Sequence, residues 1–365
     1  MSGVYISFPF CAQKCSFCNF ASGVFPREME TEYCAALHRE IAGHVWKWRP
    51  DTVYLGGGTP SQMDVSALAG LLSRIPGRPW REAAIEALPG SFSSESVRAW
   101  REAGINRVSI GVQSFVPREI AHTGRRHDAE QIAADCALLR GAGIENINLD
   151  LIAGLPCQTA DTWNDSLDWI KRIAPPHVSV YLFEIDEDSR LGLEILQGGS
   201  RYDAAAVPPD DIMADLYQSA VERLQKMGII RYEISNFAQP GYESQHNLKY
   251  WKLEPYAGFG ADAHSFDGVT RSGNVETAHE YLERDRMRRS VRNNAEDAKL
   301  EEERFFVGLR LMQGIEPREE EWRRFAEPIH RFLTTGLLER EGSRLRLSSQ
   351  GVLLSNEVFQ EFVNL

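Results

Sequence analysis

The sequence predicts an α/β protein: a partial (βα)6 barrel of the TIM-like type, followed by a small C-terminal helical, winged-helix-like module. Three observations predict it. Strand-like and helix-like segments alternate six times across residues 1–230, and such alternation favours parallel strands joined by right-handed crossovers. The residues able to do chemistry fall at the C-terminal ends of those strands, where βα barrels carry their active sites. Past residue 296 the rhythm changes to helices and one hairpin.

Each element has its own signal. Val4-Tyr5-Ile6-Ser7-Phe8 is a short apolar strand that runs straight into a cysteine-rich loop. Residues 28–48 place Tyr33, Leu37, Ile41 and Val45 on one helix face. Residues 52–55 form the second strand and enter Gly56-Gly57-Gly58-Thr59-Pro60; Ser61 to Asp64 then read as a capping box for the next helix. Strands follow at 84–88, 107–112, 147–151 and 177–182, with helices at 94–102, 129–140, 159–173 and 210–227. Several strands read as apolar with little alternation, as when both faces are covered. Six units rather than eight leave such a barrel partly open. Residues 231–295 form an aromatic and glycine-rich extension without clear period, and the five arginines between 284 and 292 read as a solvated helix face. Residues 337–347 read as a hairpin within the C-terminal module, 296–365, which is expected to pack over the barrel mouth.

Composition narrows the function classes. The 365 residues are 43% hydrophobic and 25% charged, an ordinary globular mix. A net charge of −12 excludes a broad nucleic-acid surface or a polybasic anchor and leaves at most a peripheral membrane association. The C-terminal module carries 14 acids against 10 bases, which argues against DNA binding there too. No stretch approaches the roughly 18 apolar residues of a membrane span. Met1-Ser2-Gly3-Val4-Tyr5 lacks the regions of a signal peptide. The expected location is cytoplasmic, where thiols stay reduced.

Six cysteines are present, and Cys11, Cys15 and Cys18 crowd into eight residues as C-x3-C-x2-C. A loop that short can turn three thiolates toward one metal centre. Structural zinc sites take four ligands and favour C-x2-C pairs; iron–sulfur clusters normally take four cysteines. Three cysteines on a four-iron cluster would leave one iron open to a ligand. Three small buried hydrophobes are the alternative, which the spacing and the flanking Phe8, Phe10 and Phe17 disfavour. Cys34, Cys136 and Cys157 sit singly in or beside helical patterns. The glycine run Gly56-Gly57-Gly58 lets a ligand approach the backbone, but lacks the lysine of a phosphate loop and the G-x-G-x-x-G spacing of a dinucleotide site.

With the cysteine loop after strand one and the glycine motif after strand two, the sequence resembles the radical S-adenosylmethionine (SAM) superfamily. Ser109-Ile110-Gly111-Val112-Gln113-Ser114-Phe115, Asn148-Leu149-Asp150-Leu151-Ile152-Ala153-Gly154-Leu155-Pro156 and Gly258-Phe259-Gly260 narrow the resemblance to the oxygen-independent coproporphyrinogen III oxidase group. The resemblance implies the barrel of that superfamily and a [4Fe-4S] cluster on Cys11, Cys15 and Cys18. It also implies SAM contacts at Tyr5, Gly57, Gly58, Thr59, Glu86, Gln113, Arg125 and Asp150. Phe17, beside the cysteines, is a further cofactor-contact candidate. An electron donor is implied as a partner.

Within that group two readings separate. The oxidases resemble one another in a fourth cysteine two residues past the trio, where this chain has Phe20, and in an extension before the first strand, which here starts at residue 4. Both departures argue against decarboxylation. His246-Asn247-Leu248-Lys249-Tyr250-Trp251 instead resembles the H-N-x-x-Y-W motif of the HemW-type heme chaperones. That resemblance implies binding of heme, or a related porphyrin, and its transfer to an acceptor protein. His246 would offer an imidazole to iron, with Tyr250 and Trp251 walling the macrocycle; His264 is a weaker alternative ligand. The competing reading is a coproporphyrinogen III oxidase, so the sequence leaves enzymatic turnover open.

Overall fold

The computed structural model describes residues 1–121 and 123–363. Its centre is a run of parallel strands: β1 (Gly3–Phe8), β2 (Thr52–Gly57), β3 (Glu82–Ala87), β4 (Arg107–Gln113), β5 (Asn146–Ala153) and β6 (His177–Leu182). Each pairs in parallel with the next. Short strands follow: β7 (Ile230–Arg231), β8 (Asn236–Ala238), β9 (Tyr256–Phe259), β10 (His264–Phe266), β11 (Thr270–Gly273) and β12 (Glu296–Asp297). The sheet runs β12-β11-β10-β9-β1-β2-β3-β4-β5-β6-β8-β7. Among the described residues β6 does not reach round to β1. The barrel is therefore partial, as six units imply.

The two edges are covered by the segment that shows no period in sequence. β9 adds a seventh parallel strand outside β1, with Gly3 opposite Tyr256 and Ile6 opposite Phe259. Its glycines explain the missing pattern. A Cβ on Gly258 would lie 2.1 Å from the His264 carbonyl oxygen, and one on Gly260 would lie 2.6 Å from that of Ser7. Close backbone approach, rather than side-chain alternation, sets this strand. β8 covers β6 in antiparallel register, with Ser179 opposite Asn236.

The expectation of strands with little alternation is corrected by the structure. Val53, Leu55, Val108, Ile110, Val112, Ile147, Leu149, Leu151, Val178 and Val180 are all fully buried and belong to one contiguous core with the surrounding helices. Their alternates are Thr52, Tyr54, Glu82, Glu86, Arg107, Ser109, Gln113, Asn148, Asp150, His177 and Ser179. Side chains alternate in direction along a strand, so the second set turns inward. The lumen is polar and the helix-facing layer apolar. Filled barrels pack branched apolar residues inside; this one does not.

Helix ends follow local chemistry with small shifts from expectation. Asp64, not Ser61, caps the helix Val65–Ser73, accepting from the Ser66 and Ala67 amides. The Ser61 hydroxyl is bonded to Ser91 instead, at 2.6 Å. The helix Arg27–Gly43 ends five residues before its sequence pattern suggests. In the C-terminal module the helices Glu319–Arg324 and Ala326–Thr334 precede a hairpin of β13 (Leu338–Glu341) and β14 (Arg344–Leu347). Phe305, Phe325 and Phe362 form its centre, with ring centroids 4.4–5.5 Å apart. Val352 and Leu353 of this module reach the wall of the barrel cavity.

If the outward row carries the stability, Leu149→Ala should cost about 2–5 kcal/mol. Urea unfolding measures this, and a loss below about 1 kcal/mol would contradict the layer assignment.

Candidate active site in the barrel lumen

The lumen opens into a cavity of about 870 Å³. Cys11, Cys15, Cys18, Phe17, Gly57, Gly58, Thr59, Glu86, Gln113, Arg125 and Asp150 all lie on its wall. The structure thus brings together eleven candidates scattered over residues 11–150. The three cysteines are free thiols and partly exposed. Among the described residues no three His, Cys, Asp or Glu side chains converge on a single-ion site; the thiols share a wall instead.

The cysteine loop is held by the glycine motif. The Gly58 amide donates to Phe8 O at 2.7 Å and the Thr59 amide to Phe10 O at 2.8 Å. A Cβ at Gly58 would lie 2.5 Å from the Phe10 carbonyl oxygen, and Gly57 has φ +110°. Both positions therefore require glycine. On its far side the loop is fixed by the Cys11 amide donating to Gly23 O at 2.9 Å and the Ser16 amide donating to Thr123 O at 3.2 Å. Burial pushes the Cys11 thiol above its ordinary value, partly offset by hydrogen bonds from Thr59 and Ser22. The Arg125 guanidinium donates to Cys15 Sγ at 3.3 Å and also to the Gly111 carbonyl.

Carboxylates line the middle of the lumen. Glu86 accepts from the Tyr54 hydroxyl at 2.9 Å and the Gly57 amide at 3.1 Å. Burial pushes it up to about 7, with Asp150 adding like-charge repulsion. Asp150 accepts from Ser109 at 3.1 Å and Asn148 at 2.7 Å, and burial raises it too. Asn148 continues the network to Ser179 and His177. Gln113 stands at the end of β4, where the register breaks, with φ +62°. Its Oε1 is buried with no partner among the described residues. An acceptor left open on a cavity wall suits a ligand hydroxyl or ammonium donor.

Other candidates fall elsewhere. Tyr5 lies behind the wall, stacked on Tyr54 at 6.2 Å. His246, Tyr250 and Trp251 are not on the wall. They belong to the helix Gln245–Trp251, which closes the N-terminal end of the lumen. Glu82, at the start of β3, accepts the amides of Gln245 and His246 at 3.0 and 2.9 Å. The His246 ring stacks on Tyr54, and both its nitrogens are engaged, by Thr52 at 2.9 Å and Tyr250 at 2.8 Å. Burial drops its titration to about 3. A ligand role for His246 would require one of these hydrogen bonds to be given up. Tyr250 packs edge-on against Tyr256 at 4.7 Å, and the Arg310 guanidinium lies 4.6 Å above the Trp251 ring. His264 is exposed on β10. Sequence reasoning missed Tyr54 and the lumen residues Ser109, Asn148 and Ser179; their signal was the period-two alternation itself.

A family model described as the Radical SAM superfamily matches residues 5–170. The heme chaperone HemW of Bacillus subtilis is 34% identical across 100% of this chain and 99% of its own length. That of Escherichia coli is 33% identical over 72% of this chain and 69% of its own. Coproporphyrinogen III oxidase (HemN) from Escherichia coli, described as a radical SAM enzyme, has the same fold: TM-score 0.85, 21% identity, 100% of this chain and 90% of that one.

Two outcomes follow from the buried groups. Glu86 titrates higher folded than unfolded, so its ionisation opposes folding: stability should fall as pH rises from about 4.5 to about 7. Glu86→Gln should flatten that fall in thermal melts across the window; an unchanged slope would place the cause elsewhere. His246→Ala should cost about 2–4 kcal/mol, since it removes a buried ring and two hydrogen bonds, as measured by urea unfolding.

Proposed function

The chain belongs to the heme chaperone HemW family of the radical SAM superfamily, and from that premise we propose that it is a heme carrier built around a [4Fe-4S] cluster and SAM. Cys11, Cys15 and Cys18 would hold the cluster. Gly57, Gly58, Thr59, Glu86, Gln113, Arg125 and Asp150 would hold SAM, with Phe17 and Tyr5 supporting them. Heme would be bound for transfer to an acceptor protein, with an electron donor serving the cluster.

The observation that carries the cofactor reading is the shared wall: three reduced thiols, a glycine edge and Gln113, whose buried Oε1 has no partner among the described residues, line one cavity. The donor chemistry fits both groups. Three thiolates leave one iron of a cubane for a ligand's amine and carboxylate, and Glu86 and Asp150 are acceptors suited to an ammonium and to ribose hydroxyls. A cluster and SAM held by these residues would supply one-electron radical chemistry. Arg125 would hold Cys15 in place through its hydrogen bond to the sulfur, and the buried carboxylates would orient the polar ligand. The heme part rests on the relatives that bear the name. His246 stays with its structural bonds in this reading. Among the described residues no helix is long and apolar enough to cross a membrane.

Anaerobic reconstitution tests the whole. Cys→Ser changes at residues 11, 15 and 18 should each abolish bound iron and its visible absorption. With SAM, reductant and coproporphyrinogen III, the porphyrin masses should stay unchanged while the protein binds heme. Loss of carboxyl groups from the substrate would make the protein an oxidase and overturn the carrier reading.

A further inference from the structure

The lumen does not account for its own rim. Phe20 is 65% exposed and Tyr181 is 42% exposed, and both lie on the cavity wall with the cysteines. Their positions are fixed. Asn19 Nδ2 donates to Asp186 Oδ2 at 2.5 Å, the Leu191 amide to Ser16 O at 2.8 Å, and the Arg190 guanidinium to the Lys14 carbonyl. These bonds join the cysteine loop to the segment after β6. Beneath the rim Phe183 packs with Ile152, Leu155 and Leu191, and Phe17 packs against that group. The Phe20 ring thus stands in water, and Tyr181 lines the cavity with one side open and its hydroxyl turned toward the lumen. Exposed apolar groups sharing one cavity wall often mark a contact surface.

The charge at the rim is asymmetric. Lys14 and Arg126 line the same cavity. Lys14 Nζ donates to the Phe20 carbonyl oxygen at 3.2 Å, and among the described residues neither cation makes an ion pair. The rim acids Glu184 and Asp186 lie on the segment after β6, where Asp186 is committed to Asn19 and to the Asp188 amide.

We propose that this rim is the docking site of the macrocycle: a flat anionic tetrapyrrole lies against Phe20 and Tyr181, with its propionate carboxylates toward Lys14 and Arg126. The inference rests on the heme reading above and gives it a place. An aromatic face with carboxylates at one edge matches both halves of the rim, through ring contact and charge-assisted hydrogen bonds. Recognition here uses the macrocycle rather than its iron.

Titrations of the cluster-loaded protein with heme and with metal-free protoporphyrin, read by ligand absorbance and fluorescence, test this. Metal-free porphyrin should bind within about fivefold of heme, and the double change Phe20→Ser, Tyr181→Ser should weaken both by about tenfold or more. Arg126→Glu, at an exposed position, should weaken both severalfold, more at low salt. Thermal melts and iron content confirm that each variant is folded and loaded, and Arg126→Glu stands alone if the double variant is not. Heme binding that survives these variants unchanged overturns the rim site and leaves the carrier reading intact. Heme binding without porphyrin binding overturns it too, since iron ligation would then dominate. Binding of neither ligand by the unaltered protein removes the carrier reading itself.

Discussion

The structure depends on keeping a polar lumen inside a parallel sheet. Buried polar groups are costly unless each finds a partner. Here the partners come from neighbouring strands: Asn148 of β5 bonds to Ser109 of β4 and Ser179 of β6, and Ser179 bonds to Asn236 of β8. Each bond crosses a strand boundary, so the lining and the register specify one another. A one-residue slip would turn Val108, Leu149 and Val178 into the lumen and leave the polar set among helices. The same network holds the carboxylates Glu86 and Asp150 in place before any ligand arrives.

The cysteine loop inherits its position from that frame. It begins where β1 ends and crosses the end of β2 so closely that Gly58 has no room for a side chain. At the other end of the lumen the helix Gln245–Trp251 closes the barrel. The nearly buried Lys249 ties it to Asp51 at 2.7 Å and to Glu254 at 3.2 Å. The motif read as a heme site from sequence is, in this structure, a plug. Its histidine is hydrogen-bonded at both ring nitrogens, neutral and packed against two tyrosines.

Much of this was legible from residues alone. Six βα units, the cysteine trio and the glycine turn carry strong local signals, and their strand-end positions put them on one face. β9 was not legible, because Gly258 and Gly260 serve close backbone contacts, with His264 six residues on and with Ser7 far away in sequence. The polar lining was present as alternation in Arg107-Val108-Ser109-Ile110 and Asn146-Ile147-Asn148-Leu149, but a barrel expected to be filled hides it. The bonds of His246 were not legible, because a motif reports residue types and not which hydrogen bonds their ring nitrogens make. Phe20 drew notice only as a missing cysteine; its exposure is a tertiary fact.

The bonds that join residues 14–19 to residues 186–191 make a single body of two loops that begin on opposite edges of the six-strand core. That body carries Cys15 and Cys18, and Phe20 follows it directly on the same cavity wall. Order imposed from the thiol side lowers the entropy still to be lost on the ring side. Thermodynamic reciprocity then makes the effect equal in both directions. A body tied in this way would couple a cluster on the thiols to a macrocycle at the rim without any large movement of the barrel.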